Sequence, residues 1–512
     1  MAIAHATKEF ASLAPEIRAA YETAERLSNH ILIDGRLTAA QTDATFEVEN
    51  PADRSVIAHM PSCTQADVDK AVASALKAQK DWAKVPARER GRLLGKALDR
   101  IEEEWDACAR LLCLETGNAL STQARPEIGS SMDMMRNFAG LGGELKGNTV
   151  PWTDDTIHFT TCDPLGVVGA IIPWNAPVFL LGCKAGPALV AGNTMVLKTA
   201  SPAPLAVLRV AEIMNEILPP GVLNVISGAG GEVGKAICVH PDVHKVTFTG
   251  SGPVGQDINE YVARKLCPVT LELGGKSPNI VMPDADLDLV IPGIVLGVRF
   301  TRQGQSCTAG TRIFLHKKVH DEVVERTVEA LANLRIGLPL DEETEVGCII
   351  NAKQFNRVSE YVEMARNTPG ASILCGGKKP DGALFEKGLY YEPTLVGGLG
   401  NDDPVCQDEI FGPVANILPW TDFDAVIEEA NDTEFGLAAT LWTRDLHRAI
   451  DFSKRIEAGL VQVNQYGMPI ANVAYGGLKM SGVGKENTLE AMIDHFTQSK
   501  TVIINQGTPA PH

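Results

Sequence analysis

The sequence predicts an α/β fold, and three observations carry that reading. From about residue 166, short apolar strands alternate with helices. Two Gly-containing turns follow strand ends and open helices, in VISGAGGEVGKAI and in FTGS. A second alternating region covers roughly 275–480. Alternation of this kind builds βαβ units around a parallel sheet.

The elements follow in order. Residues 1–25 are charged, without an apolar core, and read as a loosely attached helical extension rather than a secretory signal. Residues 30–60 carry strand-like runs, ILIDG and TFEVENP. Over 65–120 apolar residues recur at three- and four-residue spacing, the signature of amphipathic helices. Thr64 or Asp67 suits the cap of the first helix, and Gly117 the end of the last. LGVVGAIIP, TMVLK, VLNVISG and KVTFTG then read as strands, with helical segments between them. The most apolar stretch, 165–197, is interrupted by Pro173, Asn175, Pro177, Lys184, Pro187 and Asn193, which a plain membrane span would not tolerate.

Composition narrows the function. A chain of 512 residues suggests two or three domains with a large core. A net charge of −18, spread along the chain, argues against sequence-independent binding to nucleic-acid phosphates. The eleven cysteines are scattered, with no CxxC pair and no cluster with histidines. That argues against a zinc site and a disulfide framework; with an N-terminus unlike a secretory signal and no plain membrane span, the cytoplasm is the default location.

Several residues carry possible chemistry, each with an ordinary reading beside it. Gly228 and Gly234 sit in a strand-to-helix turn that suits a nucleotide phosphate, although such turns are common. Phe248, Gly250 and Ser251 form a second turn at a neighbouring strand end. Lys198 ends the strand TMVLK, as a solvated strand end or a donor to ribose hydroxyls. Glu272 lies between two leucines in TLELGGKSP, as an outward strand residue or a partly desolvated general base. Asn175, between prolines, is a turn asparagine or a fixed oxyanion donor. Cys307 has small neighbours in GQSCTAG, which let another molecule approach, and a helix N-terminus or a cation nearby would favour its thiolate.

PWNAP, VLKTAS, FTGS, LELGGKSP, GQSCTAG, EIFGP and YGGLKMSGVGKE occur in this order over 173–486. As a set they closely resemble the aldehyde dehydrogenase superfamily, and the resemblance covers nearly the whole chain from about residue 30. It implies a Rossmann-type cofactor domain (1–143 and 166–274), an α/β catalytic domain (275–483) and a small β oligomerisation element (144–165 and 484–512). It implies a homodimer or homotetramer. It also implies that Cys307 attacks an aldehyde, that the Asn175 amide and the Cys307 N–H hold the oxyanion, and that Glu272 activates water to release the acid. NAD or NADP would be the hydride acceptor. Trp174, Lys198, Gly228, Gly234, Ser251, Glu409 and Phe411 match positions around that cofactor. Two other readings remain: a CoA-acylating relative, against which the intact Glu272 argues, and a non-catalytic protein keeping the fold, against which Cys307 and Glu272 together argue.

Three departures from the family pattern sharpen the expectation. Ser201 stands where many NAD-preferring relatives carry a glutamate, so NADP acceptance is expected. Ala176 stands where an aromatic residue is frequent, and Leu180, Cys183, Met468 and Pro469 occupy the matching tunnel positions, with Ser306 and Thr308 flanking the nucleophile. That set suggests a wide entrance suited to bulky or aromatic aldehydes. Arg302 reads as an exposed or structurally paired arginine, or as a contact for a substrate carboxylate. Tyr475 replaces a commoner phenylalanine, with little effect expected.

Overall fold

The computed structural model describes residues 13–467 and 470–507. Its first sheet has eight strands. Five parallel strands form the centre, in the order Leu223–Ile226, Thr194–Lys198, Val167–Ile171, Lys245–Thr249, Val269–Glu272. All but Val269 of their residues are buried. Strands covered on both faces need continuous apolar runs, which is why they were legible in sequence. Ile31–Ile33 and Arg36–Thr38 close one edge, antiparallel.

The spatial order of the parallel strands reverses between Val167–Ile171 and Lys245–Thr249. Ligands gather at the carboxyl ends of strands where an open parallel sheet reverses in this way. Pro173–Trp174–Asn175 follows one of these strands, and Gly250–Ser251 follows the other.

The second sheet has seven strands, in the order Ser372–Cys375, Thr394–Gly397, Val414–Trp420, Arg312–His316, Pro278–Val281, Ala438–Trp442, Leu460–Val463. All pairs are parallel except the first. A separate ribbon pairs Thr156–Pro164 antiparallel with Thr497–Asn505 over nine residues.

Local rules explain the helices. Gln65–Trp82 starts at Thr64, whose backbone N–H donates to the Asp67 carboxylate at 2.9 Å. Trp105–Thr116 ends at Gly117 with φ of 71°, and a Cβ there would lie 2.8 Å from Cys348. Only glycine satisfies both demands. The 165–197 stretch becomes strand, helix (Pro177–Ala191) and strand, almost wholly buried. Among the described residues no helix is long and apolar enough to cross a membrane.

Two placements differ from the sequence reading. The helix Pro15–Leu27 is docked, not loosely attached. Ala20, Ala24 and Leu27 are buried on one face, and Arg26 donates twice to Glu212 at 2.8 Å. Its many charges hid a narrow stripe of mostly alanines. Residues 1–12 lie outside the described residues. At the other end, Gly482–Val483 adds an antiparallel edge strand to the first sheet beside Val269–Glu272. The helix Leu489–Phe496 then places Met492 and Phe496 in the core that packs with that sheet.

Candidate active site

A cavity of about 780 Å³ opens at the strand ends between the two sheets. Its lining brings together Cys307, Glu272 and Asn175, which are far apart in sequence. Trp174, Ala176, Leu180, Gly250, Ser251, Arg302, Ser306, Thr308, Glu409 and Phe411 line it as well.

Cys307 lies in an irregular loop after the single turn Phe300–Arg302, and no helix starts at it. The expected helix N-terminus is therefore absent. The cation that favours its thiolate is Arg299. Burial pushes the thiol up to about 11, a hydrogen bond with Tyr475 lowers it, and Glu409 and Glu272 raise it. The Tyr475 hydroxyl sits 3.4 Å from Sγ. The reading of Tyr475 as a neutral replacement missed this contact, because an added hydroxyl matters only when its partner is known.

Glu272 ends its strand pointing inward. It is 3% exposed, and neither carboxylate oxygen accepts a hydrogen bond from a described residue. Burial, then the nearby Glu486, hold its carboxyl well above the usual range, while Lys184 and Lys485 oppose them. The carboxylate packs against Gly476, where a Cβ would lie 2.7 Å from Oε1. Gly476 has φ of 150°, so glycine provides both the space and the backbone angle.

The glycines of LELGGKSP have separate duties. A Cβ at Gly274 would lie 2.4 Å from the Glu409 carboxylate, and the Gly275 N–H donates to that carboxylate at 3.0 Å. A Cβ at Gly275 would lie 2.5 Å from the Cys307 carbonyl. One pair of glycines thus seats both Glu409 and the cysteine loop. Burial pushes the Glu409 carboxyl up to about 7, opposed by the Gly275 N–H.

The Asn175 amide donates to the Gln305 carbonyl at 3.0 Å, two residues before Cys307. That bond aims the side chain at the Cys307 loop and uses one of its two N–H groups. Arg302 holds the same loop from behind. It donates to the Asn175 carbonyl at 3.2 Å and to Gln123 at 2.8 Å, and it pairs with the fully buried Glu127 at 3.2 Å. Arg302 is therefore structurally paired, and it also lines the cavity. Sequence reasoning did not find Glu127, whose carboxylate also accepts from the Val178 N–H at 3.0 Å.

The remaining residues divide between this cavity and its surroundings. Trp174 and Phe411 meet edge to face, with centroids 5.3 Å apart. Lys198, Ser201, Gly228 and Gly234 are not in the cavity lining; they lie at or after the carboxyl ends of Thr194–Lys198 and Leu223–Ile226 in the first sheet. The Ser201 hydroxyl donates to the Gly228 carbonyl at 3.3 Å, and the Lys198 Nζ donates to the Thr199 carbonyl at 3.0 Å. A Cβ at the buried Gly234 would make ordinary contacts with Ile171 and Lys198, at 3.7 and 4.0 Å. Phe248 does not reach the cavity: its ring packs where a Cβ of Gly250 would be. Cys183 does not reach it either. It faces a buried region with Glu486, His495 and Phe496, because the helix turns that side away. Phe179, Arg299 and Tyr475 line the cavity without having been singled out as pocket residues. Met468 and Pro469 lie outside the described residues.

Residues 37–502 match the model of the aldehyde dehydrogenase family. The chain belongs to the aldehyde dehydrogenase family. The Bacillus subtilis (strain 168) protein DhaS, provisionally named an aldehyde dehydrogenase, is 38% identical over 497 residues, covering 96% of this chain and 99% of DhaS. The NAD+ complex of an aldehyde dehydrogenase from Bacillus cereus superposes with a TM-score of 0.91 at 36% identity, covering 96% of this chain and 99% of that one. Betaine aldehyde dehydrogenase from Staphylococcus aureus, in complex with NAD+, superposes with a TM-score of 0.93 at 31% identity, covering 97% and 99%. The aldehyde dehydrogenase fold therefore extends over almost the whole chain.

Proposed function

We propose that this aldehyde dehydrogenase oxidises a bulky or aromatic aldehyde to its carboxylic acid, with NAD or NADP as hydride acceptor. The observation that carries the reading is the convergence of Cys307, Glu272 and Asn175 on one cavity. Cys307 attacks the aldehyde carbon. The free N–H of the Asn175 amide and the backbone N–H of Cys307 hold the oxyanion of the thiohemiacetal. A bound nicotinamide would supply the hydride acceptor. Glu272 then takes a proton from water, which attacks the thioester and frees the acid. Asn175→Ala is expected to lower turnover roughly 10²–10³-fold, measured as steady-state cofactor reduction.

The chain fits that cofactor. Gly274 and Gly275 seat the Glu409 carboxylate in the cavity wall, where it can meet a ribose hydroxyl. Trp174 and Phe411 line the same space, packed edge to face against each other. The strand-to-helix turn from Gly228 to Gly234, next to Lys198, suits the adenosine half. The NAD+ complexes of the Bacillus cereus and Staphylococcus aureus relatives support NAD. Ser201 offers a hydroxyl in place of a carboxylate, so it does not repel a 2′-phosphate, and NADP is accepted as well.

Ala176 is small, and Leu180, Ser306 and Thr308 complete that side of the cavity. Together they leave room for a ring. A panel of benzaldehyde, long-chain aldehydes and acetaldehyde, each with NAD and NADP, tests these assignments. Benzaldehyde-type substrates are expected to give the highest kcat/KM, and NADP measurable turnover. A preference for acetaldehyde would overturn the substrate reading, and an unused NADP would overturn the Ser201 reading.

The first sheet frames the proposed cofactor domain and the second the catalytic domain. The ribbon presents Ile503 at 64% exposure and Ile504 at 44%, beside Trp152 at 74%. Apolar side chains so exposed on a two-stranded ribbon favour pairing with a second copy.

A further inference from the structure

We propose that the Tyr475 hydroxyl is a further catalytic group, donating a hydrogen bond to the Cys307 thiolate and holding Sγ in its attacking position. This rests on the reading of Cys307 as the nucleophile. The contact is 3.4 Å between Oη and Sγ, between residues 168 positions apart. Tyr475 is 8% exposed and lines the cavity, so its hydroxyl is enclosed together with the sulfur. It has little freedom to leave. Its N–H donates to the Glu486 carbonyl at 3.1 Å, and the Glu486 N–H donates back at 2.7 Å. Glu486 is itself fixed through its carboxylate by an ion pair with the buried Lys184. The next residue, Gly476, makes room for Glu272. One short segment therefore shapes the surroundings of both the nucleophile and the base.

The direction of the bond follows from charge. A neutral thiol is a weak donor and a weak acceptor, whereas a thiolate is a strong acceptor. Two carboxyl groups face Cys307, those of Glu409 and Glu272, and both oppose a negative sulfur. Arg299 is the cation that favours it. The groups facing Tyr475 are Cys307, Glu272 and Tyr466, and all of them oppose ionisation of the phenol. Tyrosine therefore keeps its proton while the cysteine loses its own. Phenylalanine at this position would fill the same space without offering a donor.

A hydrogen bond to an ionised group is worth about one pH unit or more in the midpoint of thiol ionisation. Its effect on rate is smaller, because a less basic thiolate is also a weaker nucleophile. With a Brønsted slope of about 0.5, a ten-fold gain in thiolate at neutral pH is offset by a roughly three-fold loss in reactivity. Tyr475 therefore raises the neutral-pH rate roughly three-fold through ionisation, with positioning in addition.

Tyr475→Phe keeps the ring and tests this. The readout is the pH dependence of inactivation by iodoacetamide, with carboxymethylation of the Cys307 peptide followed by mass spectrometry. Relative to the parent enzyme, the variant's midpoint should move up by about one pH unit. Its neutral-pH rate should fall roughly three-fold and its alkaline plateau should rise by a similar factor. Melting temperature and cofactor affinity report on the fold and the cofactor site independently. An unchanged profile would overturn the proposal. A downward shift would also overturn it, because the tyrosine would then be accepting a hydrogen bond from the thiol. Should Cys307→Ala retain dehydrogenase activity, the nucleophile assignment itself fails, a result the Tyr475→Phe profile cannot mimic.

Discussion

Replacement of Cys307 by alanine is expected to lower aldehyde oxidation by roughly 10⁴-fold or more while leaving the protein folded. An aldehyde is a poor hydride donor. Its adduct with a sulfur nucleophile is a good one, because the oxyanion drives the hydride out. Removing Sγ removes that adduct, and no other cysteine can take its place. Cys63, Cys108, Cys113, Cys183, Cys238, Cys348 and Cys406 are buried, and burial raises each of their thiols. Acidity alone does not single out Cys307, since burial pushes both Cys307 and Cys63 up to about 11. Access to the cavity, with the Tyr475 hydroxyl and Arg299 close by, does. The stability cost should be small, because a single sulfur is lost from a half-buried loop position. Steady-state cofactor reduction and thermal melting together check this. Turnover above about 1% of the parent, with an unchanged melt, would mean the thioester route is wrong. Cys183→Ala, outside the cavity, is the matching control.

The parts legible in sequence were those set by local rules. Central strands read as apolar runs because both of their faces are covered. Gly117 was readable as a helix end because a left-handed cap calls for glycine. Cys307, Glu272 and Asn175 each kept an ordinary reading when taken alone; the ordered set of motifs singled them out, and they line one cavity. The illegible parts were long-range. Tyr475 gained its meaning from Cys307, 168 positions away. Glu127 gained its meaning from Arg302 and the Val178 N–H. Cys183 appeared to be a tunnel residue by position, but the rotation of the helix Pro177–Ala191 sends it towards Glu486 instead. Matching positions along a helix does not by itself fix which face each residue presents.

Glu272→Gln should separate the two halves of the reaction. The variant keeps the shape of the side chain and loses the base. Cysteine attack and hydride release do not need Glu272 as a base towards water, so one equivalent of reduced cofactor per active site should still appear rapidly. Thioester hydrolysis should then slow by roughly 10²–10⁴-fold. The pH dependence follows from the environment of the carboxyl. Burial and Glu486 hold it well above the usual carboxylate range. It acts as a base only when ionised, so hydrolysis by the parent enzyme should rise with pH as the carboxyl ionises through that elevated midpoint. The glutamine variant should lose this dependence. Stopped-flow cofactor reduction with steady-state turnover at several pH values checks both expectations. If burst and turnover fell together, Glu272 would be acting before the thioester forms, as the acceptor of the Cys307 proton. If instead added CoA restored turnover in the variant, the thioester would be open to a thiol acceptor. The parent's choice of water would then depend on Glu272, whose unpartnered carboxylate lines the same cavity and can bind and activate water.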